Sequence, residues 1–305
     1  MSTQGLSVAE DKQLSGTVLS VLCVLLYGSG FVIGKLGVVD AGPFSFLIVR
    51  FLGSAVVFAV ICFVTRRALD LRLQTVLRLS AAGGFSLFAF SGFAFTALDF
   101  GINPALLSVI VALQPILVAI LASSHLDERI STVSWIGFVA GFVGVYLIVS
   151  NRIFNDTTFT MSIFFAFLSM VSLSLGNFFQ KRYCEAIDIF FCGAVQNLIC
   201  AALCAPVILY VETFRIAPTN TTIVALSWMI LAVSVGAVSI LNQLISARQV
   251  NKVSSLFFLM PIVAFFLSNL LFGGELSSKQ IVGIVVVCVG VFMVNTRNLL
   301  SRNSG

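Results

Sequence analysis

The sequence predicts an all-α membrane protein: ten transmembrane helices as two inverted five-helix repeats, with both termini cytoplasmic. Three observations predict it. Of 305 residues, 59% are hydrophobic and only 10% are charged, against about 25% charged in an average soluble domain. Ten apolar segments approach the roughly 20 residues a helix needs to cross the hydrocarbon. Residues also recur at a single offset of 146: Gly30 as Gly176, Lys35 as Lys181, Pro115 as Pro261, Gly137 as Gly283 and Gly144 as Gly290. A soluble fold of this length has no interior large enough for this much apolar surface, so the bilayer is the solvent.

The segments follow one another between turn residues. Residues 1–13 are polar and carry neither a basic n-region nor a small-residue cleavage site. The first span, 14–37, is therefore read as both signal and mature helix. Gly42-Pro43 separates it from 44–64, and Asn103-Pro104 separates 79–98 from 103–122. Asn151 closes 132–150, Pro218 lies between 188–211 and 223–245, and Gly273-Gly274 divides 253–272 from 280–296; 160–180 completes the set. The organisation expected is a cytoplasmic tail over 1–13, a five-helix repeat over 14–150, its twin over 160–296 and a cytoplasmic tail over 297–305. Five spans per unit is an odd number, so the second unit must enter the bilayer upside down. Charge sets the orientation. Of the 17 Lys and Arg, only Lys35, Arg152, Arg215 and Lys279 fall outside when the N-terminus is inside, Arg50 lies within a span, and the other twelve are cytoplasmic.

Several function classes lose support at once. The net charge of +5 is not gathered into basic clusters interleaved with aromatics, so no nucleic-acid partner is expected. Seven cysteines form neither a disulfide framework nor a metal spacing, and no metal or cofactor is expected. His125 is the only histidine. Gly28-Ser29-Gly30 resembles a nucleophile turn, but no span holds a histidine to activate it, so an enzyme is not expected. A non-transporting membrane enzyme, receptor or scaffold is the rival reading. It would need no whole-chain inverted repeat, and no loop is long enough for a ligand-binding domain.

All twelve acids lie at or beyond helix ends. A charge at the bilayer centre costs roughly 3 kcal/mol on insertion scales, and without a deep carboxylate the usual proton carrier or sodium cage is missing. Exchange or facilitated transport is favoured, with proton coupling through Asp99 or a terminal carboxylate left open. Arg50 is the one base well inside a span; its planar fork suits a substrate carboxylate or phosphate, or it binds helix-end carbonyls or snorkels to the outer surface. Lys35 and Lys181 are repeat counterparts that could act as alternate gates or as interfacial anchors. Ser29, Gln114, Asn177, Gln180, Gln196 and Asn242, with Asn197 and Gln243, should avoid lipid because an amide or hydroxyl there is unpaired. Each could line a cavity or a packed seam. Tyr27 and Phe31 share a helix face, for packing or for substrate stacking. Pro115 and Pro261 are paired hinge candidates, or tolerated membrane prolines. Gly137, Gly141 and Gly144, with Gly283 and Gly290, read as a close-packing seam between the halves; monomer and homodimer both remain open.

These residues carry a resemblance. Tyr27-Gly28-Ser29-Gly30-Phe31 leads to Lys35, then Pro43, Arg50, Gln114-Pro115 and Asp127-Glu128-Arg129-Ile130-Ser131 before Gly137 and Gly144. The second half gives Lys181, Ala247-Arg248, Met260-Pro261, Gly274-Glu275-Leu276-Ser277, Gly283 and Gly290. Over about residues 14–296 this order resembles the EamA family of the drug/metabolite transporter superfamily. The resemblance implies ten helices, a central substrate cavity between two halves, and alternating access. Tyr27 stands where the family often has Trp, and Gln196 stands where the second half would echo Arg50. The function expected is a permease or exporter for a small polar or amphipathic metabolite, such as an amino acid or organic anion. Its partners would be that substrate and the lipid bilayer, in the inner (cell) membrane if the source is bacterial.

Overall fold

A computed structural model describes residues 3–67, 69–114, 117, 132–149, 156–184, 187–240, 259–273 and 277–302. The helices are α1 (Thr3–Val39), α2 (Pro43–Val64), α3 (Leu73–Asp99), α4 (Pro104–Val111), α5 (Thr132–Val149), α6 (Thr157–Tyr183), α7 (Ile189–Tyr210), α8 (Asn220–Ile240), α9 (Met260–Phe272) and α10 (Ser278–Arg302). Six of them are long and apolar enough to cross a membrane: α1 from Val18, α2, α3, α6, α7 and α8. Among the described residues no strand forms, and the single β-type pairing is an isolated bridge between Ala41 and Ile216.

Local chemistry fixes the helix starts. Pro43 and Pro104 sit in the first turns of α2 and α4, where a missing N–H costs nothing. The Asn103 side chain accepts from Ala105 N at 2.8 Å. Asp156, Asp188 and Thr219 cap α6, α7 and α8 in the same way. Gly273 ends α9 at φ 62°, a left-handed stop that favours glycine.

Three helices outrun their apolar windows. α3 begins at Leu73, not 79, because Asp70 binds Arg72 and Thr75 ahead of two amphipathic turns. Hydrogen bonds from Arg72 and Thr75 hold the Asp70 carboxyl well below the usual carboxylate range. α1 already runs from Thr3, and α10 continues to Arg302. The segments read as tails are therefore helical in those parts.

Packing repeats when the halves are exchanged. The most extensive pairings are α5 with α10 and α2 with α7. α1 lies on α8 and α9, while α6 lies on α3 and α4. Residues Gly84–Ala89 of α3 and Trp228–Ala237 of α8 are π-helical, and the 146 offset carries the first stretch onto Ile230–Val235, inside the second. Each is crossed by the glycine the repeat had marked: Gly176 of α6 lies against the Ser86 backbone, and Gly30 of α1 against Val233.

The expected glycine seam is present. A Cβ at Gly290 would stand 2.6 Å from the Gly137 carbonyl oxygen, and one at Gly144 would stand 2.7 Å from that of Gly283. Backbone touches backbone there, the close approach that substitutes for a hydrophobic drive in lipid. The largest core cluster draws on both halves, and its Phe46, Phe51, Leu98, Ile102 and Leu107 are fully buried.

Candidate functional site

Arg50 lies one and a half turns beyond Ser45 on α2 and is 8% exposed. Its Nε donates to Ser234 Oγ at 3.4 Å, and its guanidinium carbon stands 5.8 Å from the Phe51 ring centre and 6.0 Å from that of Phe95. Tyr27 and Cys200 lie within electrostatic reach. Among the described residues, the terminal guanidinium nitrogens meet no acceptor. A buried cation with aromatic faces and unspent donors is equipped to take an anionic group.

Ser29 bridges two helices. Its Oγ donates to Leu26 O at 2.7 Å and accepts from the Trp228 indole N–H at 2.9 Å. Gln180 and Gln196 satisfy each other across α6 and α7, with Gln196 Nε2 donating to Gln180 Oε1 at 2.7 Å. Gln196 also packs on Gly83, at the foot of the π stretch of α3. Asn177 is half-buried on α6, and Gln114 is half-buried with its carbonyl accepting from Ser174 Oγ at 3.4 Å.

Lys35 is half-buried, and its ammonium donates to the Leu98 carbonyl. Lys181 is exposed in the last turn of α6, so the two repeat counterparts differ in surroundings. Pro261 is buried in the first turn of α9. Pro115, Asn242 and His125 lie outside the described residues.

Contacts across the halves gather at both ends of the bundle. At one end Gly42 N donates to Arg215 O at 2.9 Å, and Ala217 N donates to Asp40 O at 2.9 Å, around the Ala41–Ile216 bridge. The Glu212 carboxylate accepts from Phe44 N at 3.0 Å, from Ser45 N at 2.8 Å and from Ser45 Oγ at 2.6 Å. Thr219 Oγ1 donates to Asp40 Oδ2 at 2.7 Å, and Arg215 N donates to Ser45 Oγ at 3.0 Å. At the other end Arg67 pairs with Asp188 at 3.2 Å and lies over the Phe190 ring.

Two clefts open at the Asp40 end. One of about 640 Å³ is lined by the α2 start, the α3 end and residues 211–215. The other, about 330 Å³, is an apolar groove between α1 and α8.

The structure thus brings Tyr27 within electrostatic reach of Arg50, pairs Gln180 with Gln196 and ties Ser29 to α8. Sequence reasoning missed Trp228, Ser234, Ser45 and Glu212. Trp228 had a signal, being one of two tryptophans and lying in a span. Ser234 had none that set it apart from the other serines. Among the described residues no disulfide forms.

The profile of the EamA-like transporter family matches the chain twice, over residues 14–150 and 160–296. A probable amino-acid metabolite efflux pump of Escherichia coli (strain K12) is 23% identical over 288 residues, covering 90% of this chain and 93% of that protein. Its namesake in Salmonella typhimurium is 25% identical over the same shares of each chain. The uncharacterized transporter YoaV of Bacillus subtilis is 24% identical, over 90% of this chain and 95% of its own. One solved protein structure matches with a TM-score of 0.64 at 18% identity, over 94% of this chain and 99% of that one, a likeness of fold.

Proposed function

The chain belongs to the EamA-like transporter family, and from that premise we propose that it carries a small amphipathic metabolite with an anionic group, outward, by alternating access. It is a multi-pass integral membrane protein, and its relatives are bacterial transporters; in a bacterium the membrane is the inner one. The substrate class is an amino acid or organic anion, bound between the halves with its anionic group on Arg50. The observation that carries this reading is Arg50 itself, buried among Phe51, Phe95 and Tyr27 with donors left over. A guanidinium taken this far from water is costly unless something charged uses it. The names of the E. coli and Salmonella relatives, probable amino-acid metabolite efflux pumps, support both cargo class and direction.

The fuller architecture belongs to the same proposal: ten spans, two inverted units and both termini cytoplasmic. The exchange symmetry of the helix contacts and the Lys/Arg bias support it. Coupling by exchange or facilitated movement fits the lack of acids deep in the spans as the sequence places them.

Counterflow in proteoliposomes tests the reading. Arg50→Gln should raise the half-saturation concentration of an anionic substrate by about tenfold or more, the worth of a charge-assisted bidentate contact. Arg50→Lys should restore only part of it, because an ammonium lacks the fork. Unchanged affinity and rate in correctly inserted Arg50→Gln would remove Arg50 from the site.

A further inference from the structure

The cleft of about 640 Å³ at the Asp40 end contains opposite charges that are not used on each other. Most polar groups nearby are already committed. Glu212 is spent on the start of α2, Asp40 on Thr219, and Lys35 on the Leu98 carbonyl. Asp99, at the end of α3, and Arg215 line the cleft without pairing, and neither side chain has a hydrogen-bond partner among the described residues. They are nonetheless neighbours, since Arg215 is the charge that Asp99 senses most, ahead of Lys35. Thr96 lies three residues before Asp99 on the same helix face and lines the same wall. Phe44, Phe100 and Phe214 complete it, and the last two are substantially exposed. The volume falls in the range of small-molecule sites, roughly 300–1,000 Å³.

We propose that this cleft binds a zwitterionic amphipathic metabolite of the amino-acid class, with its ammonium on Asp99, its carboxylate on Arg215 and its apolar side chain against the phenylalanines. The cleft is a second station, distinct from Arg50 and nearer one mouth of the pathway. It rests on the transport reading above for its purpose, though not for its chemistry. A lone anion would use Arg215 and leave Asp99 repelling it, and a lone cation would do the reverse. Only a ligand with both charges satisfies both groups, so selectivity for the zwitterion is the property to measure.

The test is calorimetric binding to the full chain in nanodiscs. The probes are L-phenylalanine and L-leucine, the amide of each, which lacks the carboxylate, and the N-acetyl form of each, which lacks the ammonium. At least one amino acid should bind about tenfold tighter than either of its blocked forms, as loss of a charge-assisted contact implies. Asp99→Asn should abolish the advantage over the N-acetyl form while keeping that over the amide, and Arg215→Gln should do the opposite. Arg50→Gln should keep the preference even where flux falls. Equal binding of all three forms, no binding of either amino acid, or uniform weakening by both cleft variants would overturn the proposal. So would loss of the preference in Arg50→Gln. Unimpaired flux in Arg50→Gln with the preference intact would instead overturn only the Arg50 reading.

Discussion

At the scale of single residues, Arg50 is only as well placed as its one polar tether among the described residues. Ser234 Oγ takes the Nε donor at 3.4 Å, which leaves the outer fork free and fixes its plane against Phe51 and Phe95. If Arg50 binds the substrate as proposed, Ser234 is its positioning residue. Ser234→Ala should raise the half-saturation concentration about three- to tenfold, for loss of about 1 kcal/mol, with the maximal rate little changed. Ser234→Thr should recover affinity, and a purely structural role would instead lower the amount of inserted protein in both variants. Arg50 was legible in the sequence because a base two turns into an apolar span has few reasons to be there. Ser234 was not. Serine is common in membrane helices, and this one stands in a π-helical stretch, where the 3.6-residue periodicity that assigns faces no longer holds. Gln180 and Gln196 were legible as amides that avoid lipid, but their pairing joins two helices, and spacing along one chain cannot reveal that.

At the scale of elements, the glycines at the 146 offset mark crossings. Gly144 and Gly290 let α5 and α10 meet backbone to backbone. Gly290→Val places methyl groups where the Gly137 carbonyl oxygen and the Gly141 nitrogen already stand, at 2.6 and 2.8 Å from the first added carbon. The helices must separate, a cost of about 1–3 kcal/mol for overpacking, and thermal unfolding in detergent should fall by several degrees. Val289→Ala, on the exposed face of the same helix, should leave it unchanged. An equal shift in both variants would show that α10 responds to any substitution, seam or not. Helices whose cores are uniformly apolar were readable almost to the residue: 188–211 became Ile189–Tyr210. Amphipathic extensions were not, because an apolar window ends at the headgroups while hydrogen bonding continues. The first two turns of α3, carrying Thr75 and Arg78, are the clearest case. The π stretches gave no sequence signal beyond Gly30 and Gly176, whose recurrence was visible and whose partners were not.

At the scale of the whole molecule, the two ends of the bundle use equivalent positions with exchanged chemistry. The offset carries Phe44 and Ser45 onto Phe190 and Phe191, the first amides of α2 and α7. In the first half those amides are capped by Glu212, a carboxylate from the other half. In the second they are capped by that half's own Asp188, which in turn pairs with Arg67 of the first. Both contacts span the halves, so under the proposed alternating access each must break when its end opens. They differ in strength. Among the described residues the Asp40 end has seven hydrogen bonds between the halves, three of them to the Glu212 carboxylate. The Arg67–Asp188 pair is partly solvated, at 44% and 23% side-chain exposure, and such pairs contribute about 0–1 kcal/mol. If the described contacts set the balance, the resting protein opens more readily at the Arg67 end. In a variant retaining only Cys200, the thiol beside Arg50, labelling by a membrane-impermeant maleimide should be faster from that face. Glu212→Ala should speed labelling from the Asp40 face by about tenfold, as a shift of roughly 1.4 kcal/mol between two states implies. Arg67→Ala should change labelling from the Asp40 face little and raise it modestly from its own. If Glu212→Ala left both faces at the parent rates, Glu212 would be an ordinary helix cap, and closure of that end would have to reside in the packing of α1 on α8 and α9.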